Sequence, residues 1–393
     1  MARPYWWSMP TDIRVRLHEP TFGDEEIEAA VAVLRSTYVT SGDRVREFET
    51  LFGDDAVMCN SGSSANLLAI AALCNPMTPH RMQPGAEVIV SALSWATTVW
   101  PLVQHGLTPV IVDIDPGTLC IDPEAVKAAI CARTDAILPV HVYGNPCDMA
   151  ALKSIAADDN LWLVEDCCEA LGAAFDPRYS GDIRTYSFYF SHHVTTLEGG
   201  LVQAGEHAEI VRMLRAHGWI RDLREPEKFS AAHPGIDPKF LFVNAGYNLR
   251  STELSAAIGL VQMGKLPLFV DIRRAMAARL CEVFAGRPGL RIQRETIPGA
   301  SSWFGFPVLV EAGAGFEAGN LRAHLESAGI ETRSIICGNI ARQPGMALFP
   351  HRVVGDLRHA DHVMRNGFSI GCHQRVTEAD CEHVGEVLDQ FYA

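Results

Sequence analysis

The stretch EVIVSALSWATTVWPLVQHGLTPVIVDI (87–114) reads as one strand–helix–strand unit. Its ends, EVIVSA (87–92) and PVIVDI (109–114), are short runs rich in branched apolar residues, and 96–105 between them has helical length. Runs without polar alternation are buried on both faces, as the strands of a parallel sheet are. Moving outward, the same rhythm recurs. Strands are expected at AVMCN (56–60), AILPVHVY (136–143), LWLVED (161–166), YSFYF (186–190) and GLVQAG (200–205), with helices at 63–74, 122–132, 148–157 and 206–216. Strands alternating with helices predict an α/β fold with a mostly parallel sheet covered on both sides.

Before this region, EEIEAAVAVLRS (25–36) has the apolar spacing of an amphipathic helix. After it, REPEKFSAAHPGIDPKF (224–240) reads as a long surface loop. A helix over 251–266 follows, and a second over 268–285 beyond Pro267. The tail changes character. WFGFPVLVEAG (303–313) and ETRSII (331–336) are expected strands, and GNLRAHLESAG (319–329) and EADCEHVGEVLDQFY (378–392) are expected helices. These patterns divide the chain into a large α/β domain over 1–264 and a smaller C-terminal α+β domain over 265–393.

Acidic residues outnumber basic ones by 47 to 33, a net charge of −14 that disfavours nucleic acid or an anionic membrane surface as a bulk partner. The eleven cysteines show no CxxC or Cys/His spacing for a metal, and free thiols suit a reducing cytoplasm. MARPYWWSMP lacks a signal-peptide pattern, and no uninterrupted apolar run is long enough to span a bilayer. The expectation is a cytoplasmic protein with no metal.

In open α/β sheets ligands bind at the carboxyl ends of strands, and four elements fall there. Gly62, Ser63 and Ser64 open a helix after a strand, which serves either as plain capping or as an anion site. Asp166 and Glu169 follow LWLVED, either as solvated strand-end charges or as a carboxylate facing a ligand. Trp95 follows EVIVSALS and is either rim packing or a stacking surface. Ser187 precedes His192 by five residues in TYSFYFSHHVTTLEGGLVQAG (185–205). The chain has five lysines, none between 154 and 227.

Taken in order, SGSSANLLAI, SALSWATT, LWLVEDCCEALGA, SFYFSHHVTTLEGG and AGYNLRSTELSAAIG resemble the pyridoxal phosphate-dependent sugar aminotransferases of the DegT/DnrJ/EryC1/StrS family. The likeness runs from LHEPTFGDEEI (17–27) to the C-terminal tail and implies a fold-type I transferase architecture. His192 stands in the slot of that family's Schiff-base lysine, as in its sugar 3-dehydratase branch.

The resemblance implies that Gly62, Ser63, Ser64 and Ser187 hold the cofactor phosphate, that Trp95 stacks on the ring and that Asp166 meets its nitrogen. Glu169, where aminotransferases often have glutamine, would lie near the ring hydroxyl. Asn248 would reach the phosphate of a neighbouring subunit, giving a homodimer with shared active sites. Arg250 would serve substrate. The implied cofactor is untethered pyridoxal 5'-phosphate, alternating with pyridoxamine 5'-phosphate. L-glutamate would be the amino donor, and the 3-hydroxyl would leave a nucleotide-linked 4-keto-6-deoxy sugar such as GDP-4-keto-6-deoxymannose. His192, with an ordinary imidazole pKa of about 6.5, would be the acid and base. Phe190 and Leu197 depart from the family's common proline and glycine. No cysteine lies in 206–250, which disfavours coupling to an iron–sulfur reductase. Two other readings stay open: an aminotransferase recruiting Lys239, and a catalytically inactive binding protein.

Overall fold

The computed structural model describes residues 13–393, so the N-terminal MARPYWWSMP lies outside the described residues. Two helices, α1 (Asp24–Ser36) and α2 (Asp43–Thr50), lead into the larger sheet. There follow β1 (Ala56–Cys59), α3 (Gly62–Leu73), β2 (Glu87–Ser91), α4 (Ala96–Gln104), β3 (Thr108–Val112), α5 (Pro123–Ala129) and β4 (Thr134–Leu138). Next come α6 (Met149–Asp158), β5 (Trp162–Asp166), β6 (Ile183–Ser187), β7 (Gly200–Gln203), α7 (Ala208–Arg215) and α8 (Pro226–Ala232). The long α9 (Glu253–Phe284) precedes β8 (Leu290–Ile292), β9 (Phe306–Val310), α10 (Ala318–Ser327), β10 (Arg352–Val353), α11 (Arg358–Asn366), β11 (Gly367–Ile370) and α12 (Glu378–Tyr392).

The larger sheet has eight strands in the order β1-β7-β6-β5-β4-β2-β3-β10. Every pair is parallel except those made by β7, which runs antiparallel to both β1 and β6. All five residues of β2 are buried: Val88, Ile89 and Val90 as expected of a strand covered on two faces, and Glu87 through pairing with Arg133 and Arg352. Ten residues of α3 are buried beneath the sheet, and its apolar run LLAIAAL packs against β6 and β7. A three-stranded antiparallel sheet, β11-β9-β8, forms a second core with α10 and α12 through Phe306, Val308, Leu321 and Val384.

Four expectations change. YSFYF is not one strand: β6 spans 183–187, and Tyr189 beyond it is exposed. The stretch 224–240 contains α8, which begins at Pro226, where a missing N–H costs nothing. ETRSII is not a strand. It makes one bridge, Arg333 to Ser369 on the outer edge of β11, and does not extend it into a ladder. The helices expected on either side of Pro267 are one helix, capped where Ser255 N donates to Thr252 Oγ1 at 3.1 Å. Tertiary packing overrides the proline: the first part of α9 lies against α1 and α2, the later part against α12 and β8. The division expected after residue 264 therefore falls inside a continuous helix. By length and composition α9 is apolar enough to cross a membrane, yet it buries Phe269, Val270, Met276 and Leu280 within the protein.

Two buried histidines are held neutral. His373 donates from Nε2 to Arg16 O at 3.1 Å and accepts from Arg375 N at 3.3 Å; burial pushes its pKa down to about 4. His193 donates from Nε2 to Ser302 O at 3.0 Å, and burial holds it well below the ordinary imidazole range. In the unfolded chain both protonate near pH ~6.5, while the fold keeps them neutral, so stability is lost as pH falls below that value. His373 should remove up to about 1.4 kcal/mol per pH unit between ~6.5 and about 4, and His193 acts in the same direction. Urea unfolding at pH 7, 6 and 5 should show this decline, flattened by one histidine's share in His373→Gln; a midpoint independent of pH would refute it.

Candidate active site

The carboxyl ends of β1, β2, β5 and β6 open onto one cavity of about 450 Å³. Gly62, Ser63, Trp95, Asp166, Glu169, Ser187 and His192 all line it, so the structure brings together seven of the residues singled out in the sequence. Ser61 caps α3, its Oγ accepting from Ser64 N at 3.1 Å, and the first N–H groups of the helix face the cavity floor. Ser63 Oγ donates to Thr97 Oγ1 at 3.1 Å across the start of α4.

The floor is made by close approach of backbone. A Cβ on Gly62 would lie 2.5 Å from Ser187 Cβ and 2.9 Å from Ser187 Oγ. The antiparallel register sets Ser187 opposite Gly200, where a Cβ would lie 2.2 Å from Ser61 O. These two glycines let a hydroxyl and a helix N-terminus converge on one point, which is the geometry of an anion cradle.

Asp166 ends β5 and is 3% exposed. Its Oδ2 accepts from Asn66 Nδ2 at 2.9 Å and Thr98 Oγ1 at 2.7 Å, and its Oδ1 accepts from Cys168 N at 3.1 Å. Asn66 is itself fixed, accepting from Thr185 Oγ1 at 2.6 Å. The carboxylate is thus a charge held in one orientation rather than a solvated strand end. Trp95, at the N-cap of α4, is 55% exposed and presents its indole at the cavity mouth.

Glu169 accepts from Tyr143 N at 2.9 Å, and burial outweighs that bond and nearby Arg333 to push its carboxyl up to about 7. Near pH 7 the protonated and ionised forms therefore coexist. His192 is pinned through Nδ1, which donates to the carbonyl of Cys168 at 2.6 Å. The carbonyl can only accept, so Nδ1 carries the hydrogen and Nε2 keeps its lone pair. Burial drives the imidazole down to about 4, below the ordinary value expected from sequence, against the opposing pull of the Cys168 carbonyl. The ring is neutral, and able to accept a proton, at any pH above that.

Three of the singled-out residues stand elsewhere. Ser64 turns its hydroxyl away, donating to Asn60 Oδ1 at 2.6 Å as part of the helix cap. Asn248 and Arg250 do not line this chain's cavity. They bridge to Ala216 and Cys59, and Arg250 Nε donates to Asn248 Oδ1 at 3.2 Å. His193 points into the core. No lysine lines the cavity: Lys127, Lys153, Lys228 and Lys265 are paired with carboxylates, and Lys239 sits in a 3₁₀ turn.

Sequence reasoning missed Asn66, Thr98, Phe304 and Arg333. One signal was available: an asparagine amid GSSANLLAIAAL must find partners if the helix is buried. Arg333 and Phe304 come from the C-terminal part, and nothing in their local sequence says that they reach the larger sheet.

Residues 20–389 match the DegT/DnrJ/EryC1/StrS aminotransferase family. The chain is 38% identical to GDP-4-keto-6-deoxy-D-mannose 3-dehydratase of Escherichia coli O55:H7, over 96% of this chain and 100% of that protein. It is 37% identical to dTDP-4-dehydro-2,6-dideoxy-D-glucose 3-dehydratase of Saccharopolyspora spinosa, over 94% of this chain and 85% of the relative. A crystal structure of GDP-4-keto-6-deoxymannose-3-dehydratase with a trapped PLP-glutamate geminal diamine superposes with a TM-score of 0.89 at 37% identity, covering 95% of this chain and 100% of that one. Fold, cavity and sequence agree: the chain belongs to the DegT/DnrJ/EryC1/StrS aminotransferase family and has the fold-type I architecture.

Proposed function

We propose that this protein is a pyridoxal phosphate-dependent sugar 3-dehydratase that removes the 3-hydroxyl of GDP-4-keto-6-deoxymannose, with L-glutamate as amino donor. The observation that carries this reading is His192: an imidazole with its proton fixed on Nδ1, lining a cavity that holds no lysine. Relatives at 37–38% identity named as 3-dehydratases support the reaction class. A related structure that holds PLP and glutamate supports the cofactor and donor.

The cavity suits the phosphorylated cofactor on its own evidence: a cradle that one Cβ would fill, an unpartnered indole above it and a clamped carboxylate beside it. The α3 N–H groups, Ser63 and Ser187 would hold the phosphate, Trp95 would cover the ring, and Asp166 would face the ring nitrogen. When bound, the cofactor supplies an electron sink and a primary amine. His192 Nε2 takes a proton and returns it to the departing 3-hydroxyl, within the range of one positioned acid–base group. Glu169, its carboxyl raised to about 7 by burial, would offer a hydrogen bond to an oxygen of the bound molecule in its protonated form. An imidazole cannot tether the cofactor as an amine does, so elimination is favoured over nitrogen delivery.

Asn248 and Arg250 lie off this chain's cavity; in a homodimer with shared active sites Asn248 would reach the partner's phosphate cradle and Arg250 would serve its substrate. All eleven cysteines are free, which suits a reducing cytoplasm.

In His192→Asn, cofactor absorbance should persist while kcat falls ~10²–10⁴-fold, measured by release of the dehydrated sugar from GDP-4-keto-6-deoxymannose. An amino-sugar product, or a lysine–cofactor adduct after borohydride reduction, favours the aminotransferase alternative and sinks the dehydratase reading. The dTDP-linked sugar serves as a control for nucleotide choice. Gly62→Ala should weaken cofactor binding by roughly 10–100-fold, since overpacking of 1–3 kcal/mol falls on the phosphate cradle; unchanged affinity would remove the cradle from the site. Refolding His192→Asn together with Asn248→Ala should restore roughly a quarter of wild-type activity through mixed dimers. Absence of such complementation would argue against shared active sites.

A further inference from the structure

The proton-carrying imidazole rests on a ring from the C-terminal part of the chain. Phe304 is 8% exposed, and its ring centroid lies 5.0 Å from that of His192 at an interplanar angle of 38°. It also touches His193 at 6.0 Å and Tyr143 at 5.8 Å, and the Arg333 guanidinium lies 5.6 Å from its centroid.

The backbone beneath this ring is fixed on both sides. Phe304 N donates to Tyr143 O at 2.9 Å. The fully buried Arg273 donates from Nη1 to Trp303 O at 3.0 Å, Phe304 O at 3.3 Å and Cys372 O at 2.7 Å. Trp303 adopts a left-handed conformation with φ 49°, and its N donates to Ser301 Oγ at 3.0 Å. A bulky residue keeps such a φ only where its surroundings impose it. The backbone that carries the Phe304 ring is therefore held by Tyr143 on one side and Arg273 on the other.

We propose that Phe304 is a positioning residue for the reaction: its clamped ring keeps one face of His192 dry and turns Nε2 toward the cavity. The ring supplies the apolar wall, and the Cys168 carbonyl supplies the orientation. Neither suffices alone, because one hydrogen bond leaves the imidazole free to swing about it. Around His192, Asp166, Glu169 and Glu198 are the acids that share the cavity, and Arg333 and the more distant Arg273 are the cations. His193, Cys168 and Tyr189 are the remaining titratable neighbours. Burial acts more strongly on the imidazole than any of these charges, and Phe304 provides apolar contact with its face. The consequence for turnover rests on His192 being the proton carrier, but the positioning itself can be tested without substrate.

The test is a pH titration of the whole protein, labelled on histidine, by NMR. The His192 signal among the fifteen histidines is identified by its loss in His192→Asn. In the wild type, Nδ1 should stay protonated and the ring neutral well below pH ~6.5. Phe304→Ser admits water and should raise the midpoint by at least about one pH unit toward the ordinary value. Phe304→Leu keeps an apolar side chain, and hence the fold, and should shift the midpoint in the same direction by less. Phe304→Tyr retains the ring face and should restore the wild-type midpoint. In active enzyme the acidic limb of kcat/KM should move with the midpoint, so at pH ~5 Phe304→Ser loses at least about half of its own neutral-pH rate while the wild type loses about a tenth. An unmoved midpoint in Phe304→Leu overturns the proposal, whether or not the serine variant folds. Failure of the wild type to dehydrate the sugar, with the titration behaving as expected, would overturn the functional reading instead.

Discussion

One hydrogen bond, from His192 Nδ1 to the Cys168 carbonyl, decides which nitrogen of the imidazole meets the cavity. Everything around it serves that choice. Cys168 can present its carbonyl because the chain turns sharply after β5, and that turn is closed by Cys168 N donating back to Asp166 Oδ1. The carboxylate that would face the cofactor and the carbonyl that sets the tautomer belong to one short loop. A disturbance at either would be felt at both.

Asp166 is a case of buried polarity made tolerable by hydrogen bonds to both carboxylate oxygens. Asp166 has three donors, and Asn66 and Thr98 are brought to it by the first turns of α3 and α4. Hydrogen bonds to a charged group contribute about 1.5–3 kcal/mol each, and a buried lone pair left without a donor costs a similar amount. Glu169, with Tyr143 N as its donor, has less support than Asp166, and burial raises its carboxyl to about 7. Two carboxyl groups three residues apart thus differ because their surroundings differ.

The larger sheet was legible because its strands are continuous apolar runs, and a parallel sheet buried on two faces leaves no other pattern. Gly62, Asp166, Ser187 and His192 were legible for a related reason: they fall at strand ends, where βα connections converge. Pro267 misled, since a local rule about proline yields when a helix is gripped along its length. ETRSII misled because alternation of side chains does not reveal whether a segment beside a sheet edge will pair along its length or, as here, at one residue. Arg333 and Phe304 reach the cavity only through the packing of the smaller sheet against the larger, a contact between segments far apart in the chain. Asn248 and Arg250 have the chemistry of site residues, but within one chain they lie beside β1, outside the pocket.

The unbroken course of α9 has a mechanical consequence. A helix of 32 residues packed against α1, α2, α12 and β8 is shared by the two hydrophobic cores, so a change in its course would be felt by both. Pro267 removes one rung from the ladder of that helix near its middle, and a missing rung is where a long helix bends most easily. Any flexure that narrows or widens the cleft would concentrate there, far from the chemistry, and would carry Phe304 and Arg333 with it.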